Sequence, residues 1–191
     1  KISIFGWLLV FSRGSAIIFF IFIGLILKFV LRVFEKPLFG VRRPVTPYIT
    51  VLVSRISLRL LSIPVVRFGI PLRQPGAFVS NHTSWLDIFA LNSGHMLYFV
   101  SKSEVAKWPG IGLLAKATGT LFIRREPKEA VAQKKLFAQR IKMGHRLLFF
   151  PEGTSTDGMR VLPFKSALFQ AFFEAGFNSQ CYIQPVTVTY F

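Results

Sequence analysis

An apolar segment at the start of the chain limits the folds that are open to it. Residues 2–34 carry only three charges, at Arg13, Lys28 and Arg32. The uncharged run between Arg13 and Lys28 has fourteen residues, whereas a helix that spans a bilayer needs roughly 20. We therefore expect two short apolar helices, hinged at Ser12-Arg13-Gly14, that enter one leaflet and return. The alternative is one spanning helix, lengthened by Lys28 and Arg32 snorkelling to the lipid surface.

Charge and apolar content together favour a lipid surface over nucleic acid as the partner. The chain of 191 residues has a formal net charge of +16, yet 52% of its residues are hydrophobic and 22 are Phe. Nucleic-acid binding would account for the charge but not for the apolar content. A protein that sits on anionic lipid needs both, and its cationic surface would also attract acidic substrates and carriers.

By composition the chain divides into a segment expected to anchor in a membrane, a linker with a basic helix, and a C-terminal domain, at residues 1–34, 35–63 and 64–191. Pro37, Pro44 and Pro47 mark the linker. The helix expected over 48–62 is either a basic interfacial helix or an ordinary amphipathic one. Because the chain begins without Met and stops inside an apolar run at Phe191, we expect a truncated C-terminus.

Beyond residue 64 the pattern changes to short apolar runs that alternate with helical segments. Strands are expected at residues 65–70, 77–80, 97–101, 121–123, 147–150 and 181–190. Helices are expected at residues 85–92, 109–118, 127–143 and 165–175. Alternation of this kind predicts an α/β domain in which a largely buried sheet is flanked by helices.

A histidine and a carboxylate lie five residues apart in Asn81-His82-Thr83-Ser84-Trp85-Leu86-Asp87. A carboxylate on the far ring nitrogen fixes the tautomer of a histidine and stabilises the charge that it gains as a general base. On a regular helix the two side chains would point apart. We therefore place His82 in the turn before a helix and Asp87 in its first or second turn. The alternative is a surface turn that contains His and Asp by chance.

A second turn, Pro151-Glu152-Gly153-Thr154, follows the apolar run 147–150. A carboxylate directly after a buried strand is costly unless a ligand hydroxyl, a cation or backbone donors pair with it. Gly153 would let the backbone approach a ligand closely. The alternative is an exposed turn with no ligand.

Two guanidinium groups, those of Arg124 and Arg125, end the predicted strand 121–123. Arginine is a planar, bidentate partner for phosphate, so this strand end is a candidate phosphate contact. The alternative is a solvated strand end in a basic protein.

Metal and cysteine chemistry are not expected. The three histidines and the single cysteine lack the spacing of a zinc site. Cys181 can form no internal disulfide and is most simply a small core residue.

These segments resemble the glycerolipid acyltransferases typified by 1-acyl-glycerol-3-phosphate O-acyltransferase. Four blocks occur in the order of that family between residue 64 and the end: Asn81 to Asp87, Gly119 to Arg124, Phe150 to Thr154, and Ile183 to Val186. The resemblance implies a mixed-sheet α/β domain with an N-terminal membrane helical segment. It also implies transfer of a fatty acyl group from a thioester to a lysolipid hydroxyl. His82 would take the proton from that hydroxyl, Asp87 would hold His82, and no acyl-enzyme would form.

The resemblance assigns catalysis to His82 and Asp87, and substrate contacts to Asn81, Gly119, Phe122, Arg124, Glu152, Gly153, Thr154, Ser155, Arg160, Lys165 and Pro185. It implies no bound cofactor, and acyl-carrier protein or coenzyme A thioester as the co-substrate. The implied partners are the lipid bilayer, a lysolipid acceptor and the acyl donor, without nucleic acid. The implied location is the inner (cytoplasmic) membrane, with the catalytic domain on its cytoplasmic side.

One departure from the family bears on the acceptor. The third block of the family usually continues with Arg, which is thought to hold the phosphate of the acceptor, but here the position is Ser155. The run from Thr154 to Lys165 resembles the branch that acylates lyso-ornithine lipid and related lyso-aminolipids, which ranks first. Lysophosphatidic acid is the runner-up, because Arg124, Arg160 or other cations could replace the missing charge. A non-catalytic lipid-binding scaffold and a thioesterase are the remaining alternatives.

Overall fold

The computed structural model describes residues 2–74, 76–124, 129–166, 169 and 182–191. The chain forms two compact units, of which the first comprises residues 1–67 and 88–96 and the second comprises residues 68–87 and 97–191.

A single helix, α1, runs from Ile4 to Phe39 in the first unit. Its 36 residues rise about 54 Å at 1.5 Å per residue, and among the described helices it is the one long and apolar enough to cross a membrane. The predicted hairpin with a hinge at Gly14 is therefore wrong. The chain stays helical at the interruption, where Ser12 Oγ donates back to the carbonyl of Leu9 at 3.2 Å. A hydroxyl satisfied in this way does not break a helix.

The end of α1 also differs from expectation, because Pro37 lies inside the helix rather than in the linker. A proline removes one backbone donor, and so close to the end of a helix this loss is small. Phe39 is the last residue of the helix. The residue after it, Gly40, caps the helix with a φ of 58° and donates its N–H to the carbonyl of Lys36 at 2.9 Å.

Helix α2, Thr46–Leu60, packs along one face of α1. The buried positions of α1 repeat at intervals of seven and four, which is one helix face: Ile17, Gly24, Lys28 and Glu35. A Cβ on Gly24 would lie 2.7 Å from Val53 Cγ2, so glycine allows the close approach of the two helices. On α2 the buried side chains are mostly small and polar, at Thr46, Ser54 and Ser57.

Charged groups on α1 join it to the start of α2. Glu35 Oε1 accepts hydrogen bonds from the N–H groups of Val45 at 2.6 Å and Thr46 at 2.9 Å. Its Oε2 accepts from Thr46 Oγ1 at 2.7 Å, and Lys28 Nζ donates to Thr50 Oγ1. A carboxylate at a helix N-terminus satisfies orphan donors and complements the helix dipole. Glu35 therefore caps α2 from a neighbouring helix.

The second unit contains a five-stranded sheet in the order β3-β2-β4-β1-β5. Its strands are β1 Gly76–Ser80, β2 Leu97–Lys102, β3 Leu121–Ile123, β4 Arg146–Phe149 and β5 Tyr182–Val186. Between them lie α3 Asp87–Asn92, a 3₁₀ helix at Ser103–Lys107, α4 Ile111–Thr118 and α5 Ala130–Lys142. Except for Asp87 itself, α3 groups with the first unit.

The predicted α/β class is confirmed, but every pairing between the described strands is parallel rather than mixed. Consecutive strands are joined by connections long enough for a crossover, which parallel pairing requires. The main core cluster is formed by one face of the sheet and by α5, and it includes Ala77, Leu147, Phe149, Phe137 and Ile141.

The strand predicted over residues 65–70 does not form. Its side chains Val66, Phe68 and Ile70 are exposed, and the segment beside β5 is held by one amide: Gln184 Nε2 donates to the carbonyl of Ile70, and Gln184 Oε1 accepts from the N–H of Leu72. The helix predicted over 165–175 and the residue Cys181 lie largely or wholly outside the described residues.

A buried polar cluster closes the amino-terminal edge of the sheet. The ring of Tyr98 stacks on His145 with centroids 4.1 Å apart. Arg140 contacts His145 Nδ1 at 3.2 Å and donates to the carbonyl of Gly119 at 2.6 Å. These residues stand before or at the starts of β2, β3 and β4, so the cluster holds the strand entries together.

The carboxyl ends of β1 and β4 form the other edge. These strands are neighbours, yet the chain leaves β1 toward β2 on one side and leaves β4 toward β5 on the other. Ligands of α/β proteins bind outside the carboxyl ends of the strands, so this edge is the expected position of a ligand site.

Candidate active site

His82 and Asp87 meet at the carboxyl end of β1. His82 lies two residues beyond the strand, and Asp87 is the first residue of α3. His82 Nδ1 lies 2.8 Å from Asp87 Oδ2. This is the layout that the sequence predicted, with the histidine in the turn and the carboxylate in the first turn of the helix.

Asp87 is a fully buried carboxylate with four hydrogen-bond donors around it. Besides His82, the N–H groups of Thr83 at 2.7 Å and Ser84 at 3.0 Å donate to Oδ2. Tyr190 Oη donates to Oδ1 at 2.5 Å. Burial by itself would raise the pKa of Asp87, but these hydrogen bonds outweigh burial and hold the pKa below its usual range. The carboxylate therefore stays ionised.

Tyr190 is a site residue that the sequence reasoning missed. Burial, the hydrogen bond to Asp87 and the negative charge of that carboxylate all raise the pKa of Tyr190, so it remains a donor. No local sequence pattern predicts the contact between Tyr190 and Asp87, because 103 residues separate them. The one indirect signal is that Tyr190 closely follows the block Ile183 to Val186.

Asn81 holds the segment that carries Tyr190. Its Nδ2 donates to the carbonyl of Val188 at 2.9 Å, and its Oδ1 accepts from the N–H of Val188 at 2.8 Å. The side-chain amide thereby pairs with the backbone as a neighbouring strand would. Asn81 was predicted to contact substrate, and in the structure its amide fixes the chain end beside Asp87.

Two further contacts hold His82, one to its ring and one to its backbone. Its ring stacks on Phe150, with centroids 4.0 Å apart and planes 11° from parallel. Its backbone carbonyl accepts from the N–H of Thr156 at 2.8 Å. With Nδ1 on Asp87, the other ring nitrogen, Nε2, has no hydrogen-bond partner among the described residues. The histidine thus presents one oriented basic nitrogen.

The segment after β4, residues 150–165, forms a closed loop. Glu152 is buried, and its Oε2 accepts from the N–H of Leu162 at 3.0 Å. The N–H of Lys165 donates to the carbonyl of Pro151 at 2.8 Å. Gly153, with a φ of 71°, makes the turn. The N–H of Leu162, in the same loop, therefore supplies one of the hydrogen-bond donors that the buried Glu152 carboxylate requires.

One position of this loop, Gly158, lies directly against the catalytic turn. Gly158 has a φ of 75°, and a Cβ on it would lie 3.0 Å from the Cγ2 methyl of Thr83. Any other residue at this position would be strained in backbone conformation and would press on the turn that donates to Asp87.

The other residues that were predicted to contact substrate lie in several different parts of the second unit. Thr154, Ser155, Arg160 and Lys165 are exposed on the loop after β4. Arg124 ends β3, which is three strands or about 14 Å from β1 at roughly 4.8 Å per strand, and it pairs with Glu129 at 3.1 Å. Phe122 is half-buried within β3, Pro185 lies within β5, and Gly119 precedes β3 near the opposite edge.

Replacing Tyr190 by Phe should reduce the free energy of unfolding by about 1.5–3 kcal/mol at pH 7, the range for a hydrogen bond to a charged group. The Asp87 pKa is depressed in the folded state, so this stability is present above the unfolded value and should fade as pH falls below about 4. The Tyr190 pKa is raised in the folded state, so the stability contributed by this hydrogen bond should also fade above about pH 10. The measurement is the free energy of unfolding in urea, for both proteins, at a series of pH values.

Tyr182→Phe is the matched control, since Tyr182 is an exposed tyrosine in β5 and should change stability by less than about 0.5 kcal/mol. Equal effects of the two substitutions, or an effect of Tyr190→Phe that does not vary with pH, would contradict the assignment of Tyr190 to the carboxylate.

Comparison with known proteins identifies the family of the chain. The sequence model of the Acyltransferase family matches residues 65–189. The chain is 55% identical over 178 residues to the lyso-ornithine lipid O-acyltransferase of Rhodobacter capsulatus, an alignment that covers 93% of this chain and 64% of that protein. It is 37% identical over 157 residues to the protein of the same name from Brucella abortus, covering 79% and 57%.

A 1-acyl-sn-glycerol-3-phosphate acyltransferase of Neisseria gonorrhoeae is 37% identical over 98 residues, which are 51% of this chain and 38% of that protein. No solved structure matches. The chain spans less than two thirds of the length of each of these relatives. The family match, however, includes the whole sheet and the His82–Asp87 pair. The chain belongs to the Acyltransferase family.

Proposed function

We propose that the protein is a membrane-associated O-acyltransferase. It moves a fatty acyl group from an acyl-thioester to the hydroxyl of a lysolipid, with lyso-ornithine lipid or a related lyso-aminolipid as acceptor. The observation that carries the proposal is the buried, ionised Asp87 bonded to His82 Nδ1 at 2.8 Å. A histidine held in this way is a general base.

In the proposed reaction, His82 Nε2 takes the proton from the acceptor hydroxyl as its oxygen attacks the thioester carbonyl. The C–O bond forms, the tetrahedral intermediate collapses, and the C–S bond breaks. The thiolate leaves and takes the proton from His82. Asp87 keeps Nδ1 protonated and stabilises the imidazolium between these steps. No residue of the protein is acylated.

The acceptor is proposed from two independent features. The relatives from R. capsulatus and B. abortus carry the name lyso-ornithine lipid O-acyltransferase. Ser155 stands where the family usually has a phosphate-binding Arg, and it lies exposed on the loop after β4. An ornithine head group presents a carboxylate instead of a phosphate, and the exposed Arg160 on the same loop is a suitable partner for it.

Lysophosphatidic acid is the second candidate acceptor. The resemblance to the N. gonorrhoeae 1-acyl-sn-glycerol-3-phosphate acyltransferase supports it. So do the exposed cations Arg160 and Lys165, which could hold a phosphate without an Arg at position 155. A non-catalytic lipid-binding scaffold is the candidate from another class, and the intact His82–Asp87 pair disfavours it.

The proposed location is the inner membrane, with the catalytic domain on the cytoplasmic side. Helix α1 supplies the apolar length. Positive charge is concentrated after its apolar part, at Arg32, Lys36, Arg42, Arg43 and Arg55. Cationic flanks of membrane helices stay in the cytoplasm. The donor is proposed to be an acyl-carrier protein or coenzyme A thioester.

The test of this function is an acyl-transfer assay on the purified, membrane-reconstituted protein. It offers lyso-ornithine lipid, lysophosphatidic acid and water as acceptors, each with acyl-carrier-protein and coenzyme A thioesters. Transfer to lyso-ornithine lipid supports the proposal, and transfer to lysophosphatidic acid alone supports the second candidate. Release of free fatty acid alone identifies a thioesterase, and absence of turnover with every pair favours the scaffold.

His82→Ala should lower turnover by roughly 10²–10⁴-fold, the range for loss of a general base. Asp87→Asn should also be severe, because an amide cannot stabilise the imidazolium and favours the wrong tautomer. His95→Ala, a histidine outside the site, is the control. Near-wild-type turnover of a folded His82→Ala protein would refute the mechanism.

Ser155→Arg should shift the preference toward lysophosphatidic acid by roughly ten- to a hundredfold, since one charge-assisted hydrogen bond is worth about 1.5–3 kcal/mol. The measurement is the ratio of kcat/KM for the two acceptors. Ser155→Gln adds length without charge and should leave the ratio unchanged. An unchanged ratio in Ser155→Arg would show that position 155 does not face the head group.

High salt should not release the intact protein from membranes, because burial of apolar surface is not screened whereas surface charge is. The measurement is sedimentation of membranes washed at about 1 M NaCl, where the Debye length is near 3 Å. The whole chain is used, since α2 packs along α1 and a deletion of residues 1–34 would uncover it. Release by salt alone would refute the anchor.

A further inference from the structure

The loop after β4 exposes apolar side chains beside the candidate active site. Met159 is 86% exposed, Val161 is 77% exposed and Phe164 is 54% exposed. Between them Leu162 turns inward and is only partly exposed. A cluster of this kind on a folded loop indicates an interaction surface, whereas single exposed apolar residues do not.

The exposure of these side chains is built into the loop. Both ends are closed, by the Glu152–Leu162 and Lys165–Pro151 hydrogen bonds. The turn at Asp157 is closed as well, because its Oδ1 accepts from the N–H of Met159 at 3.0 Å. The backbone therefore holds Met159 and Val161 on the outside, and Phe164 stays half exposed although its ring stacks on Phe169 with centroids 6.1 Å apart. Exposed apolar surface of this kind costs solvation free energy unless something covers it.

The topology of the sheet puts this loop at the same edge as His82. The loop follows the carboxyl end of β4, and its Thr156 N–H bonds to the carbonyl of His82. Two exposed tryptophans, Trp85 after β1 and Trp108 after β2, also follow carboxyl ends of parallel strands. Tryptophan is enriched at the boundary between lipid and water.

The charges of the loop match an anionic lipid surface. Arg160 and Lys165 alternate with the apolar residues and are exposed. The one acidic side chain among residues 153–165, Asp157, is turned to a backbone donor. Apolar side chains that enter the acyl boundary, with cations at the level of the lipid phosphates, are the pattern of an interfacial membrane contact.

We propose that Met159, Val161 and Phe164 insert into the surface of the bilayer, with Lys165 at the level of the lipid phosphates. The sheet-bearing unit then has its own lipid contact, in addition to α1, and the catalytic turn braced by this loop is held at the lipid surface. A lysolipid acceptor can reach His82 from the membrane. The proposal goes beyond the proposed function, since a non-catalytic lipid binder would use the same contact.

The test places a fluorescent probe on the intact chain in nanodiscs that contain phosphatidylglycerol. Cys181, the single cysteine, is replaced by Ser, and Val161→Cys is labelled with an environment-sensitive dye. The control is Lys142→Cys, an exposed position at the end of α5, before the amino end of β4 and so at the opposite edge of the sheet. Quenching by spin-labelled lipid and by aqueous iodide is measured at both positions.

The expected result is lipid quenching at position 161 that is at least about threefold stronger than at position 142, with protection of position 161 from iodide. Quenching of position 161 by iodide alone would overturn the proposal. Protection from both quenchers would show that protein covers the loop. Protection that appears only on addition of acyl-carrier protein would assign the surface to a carrier instead. None of these outcomes depends on turnover, so they are independent of the reaction proposed above.

A second variant keeps the proposal testable if the label disturbs the loop. Val161→Asp should raise the apparent KM for a bilayer-presented acceptor by about tenfold or more. It should leave kcat for a monodisperse short-chain acceptor within about twofold. An equal loss with both acceptors, or no loss with either, would contradict insertion of this residue into lipid.

Discussion

The second unit depends on one buried charge. A carboxylate without contact to water is strongly unfavourable unless it is paired and hydrogen-bonded, and Asp87 is fully buried. Its donors come from two parts of the chain: the turn after β1, which supplies His82 and two backbone N–H groups, and Tyr190, about one hundred residues later. Asn81 adds no donor, but it fixes the segment that carries Tyr190. The requirement to satisfy one carboxylate therefore organises the turn, the helix start and the chain end, and leaves His82 with a single orientation.

The parallel sheet converts this local arrangement into a site. Because all strands run the same way, the turn after β1 and the loop after β4 emerge side by side, and Phe150 stacks on His82. The loop after β4 then serves two purposes. Thr156, which donates to the carbonyl of His82, and Gly158, which lies against Thr83, brace the catalytic turn. The outer side of the loop exposes Met159, Val161 and Phe164. The polar cluster of Arg140 and His145 holds the opposite edge, away from the chemistry.

The first unit also contains a buried carboxylate that accepts hydrogen bonds from backbone N–H groups, and there it joins two helices. Glu35 is a buried carboxylate whose donors are the first N–H groups of α2. It fixes where α2 begins along α1, and Gly24 allows the helices to approach closely. The exposed face of α1 remains apolar almost throughout, as lipid contact requires. Both units therefore use buried acidic residues to orient backbone donors: Glu35 in the first unit, and Asp87 and Glu152 in the second.

The sequence by itself determined the α/β class, the positions of most strands and helices, and the His82–Asp87 pair, because each depends on local pattern or short spacing. Tertiary structure decided the rest. The fourteen-residue window suggested a hairpin at Gly14, but the helix continues through this point, where the hydroxyl of Ser12 bonds to the carbonyl of Leu9. The run 65–70 has strand-like residues but forms no backbone ladder with the described strands, and only the side-chain amide of Gln184 joins its end to β5. Tyr190 and Phe150 join His82 and Asp87 only because the fold closes separations of about seventy to one hundred residues, and such contacts leave no mark on local sequence.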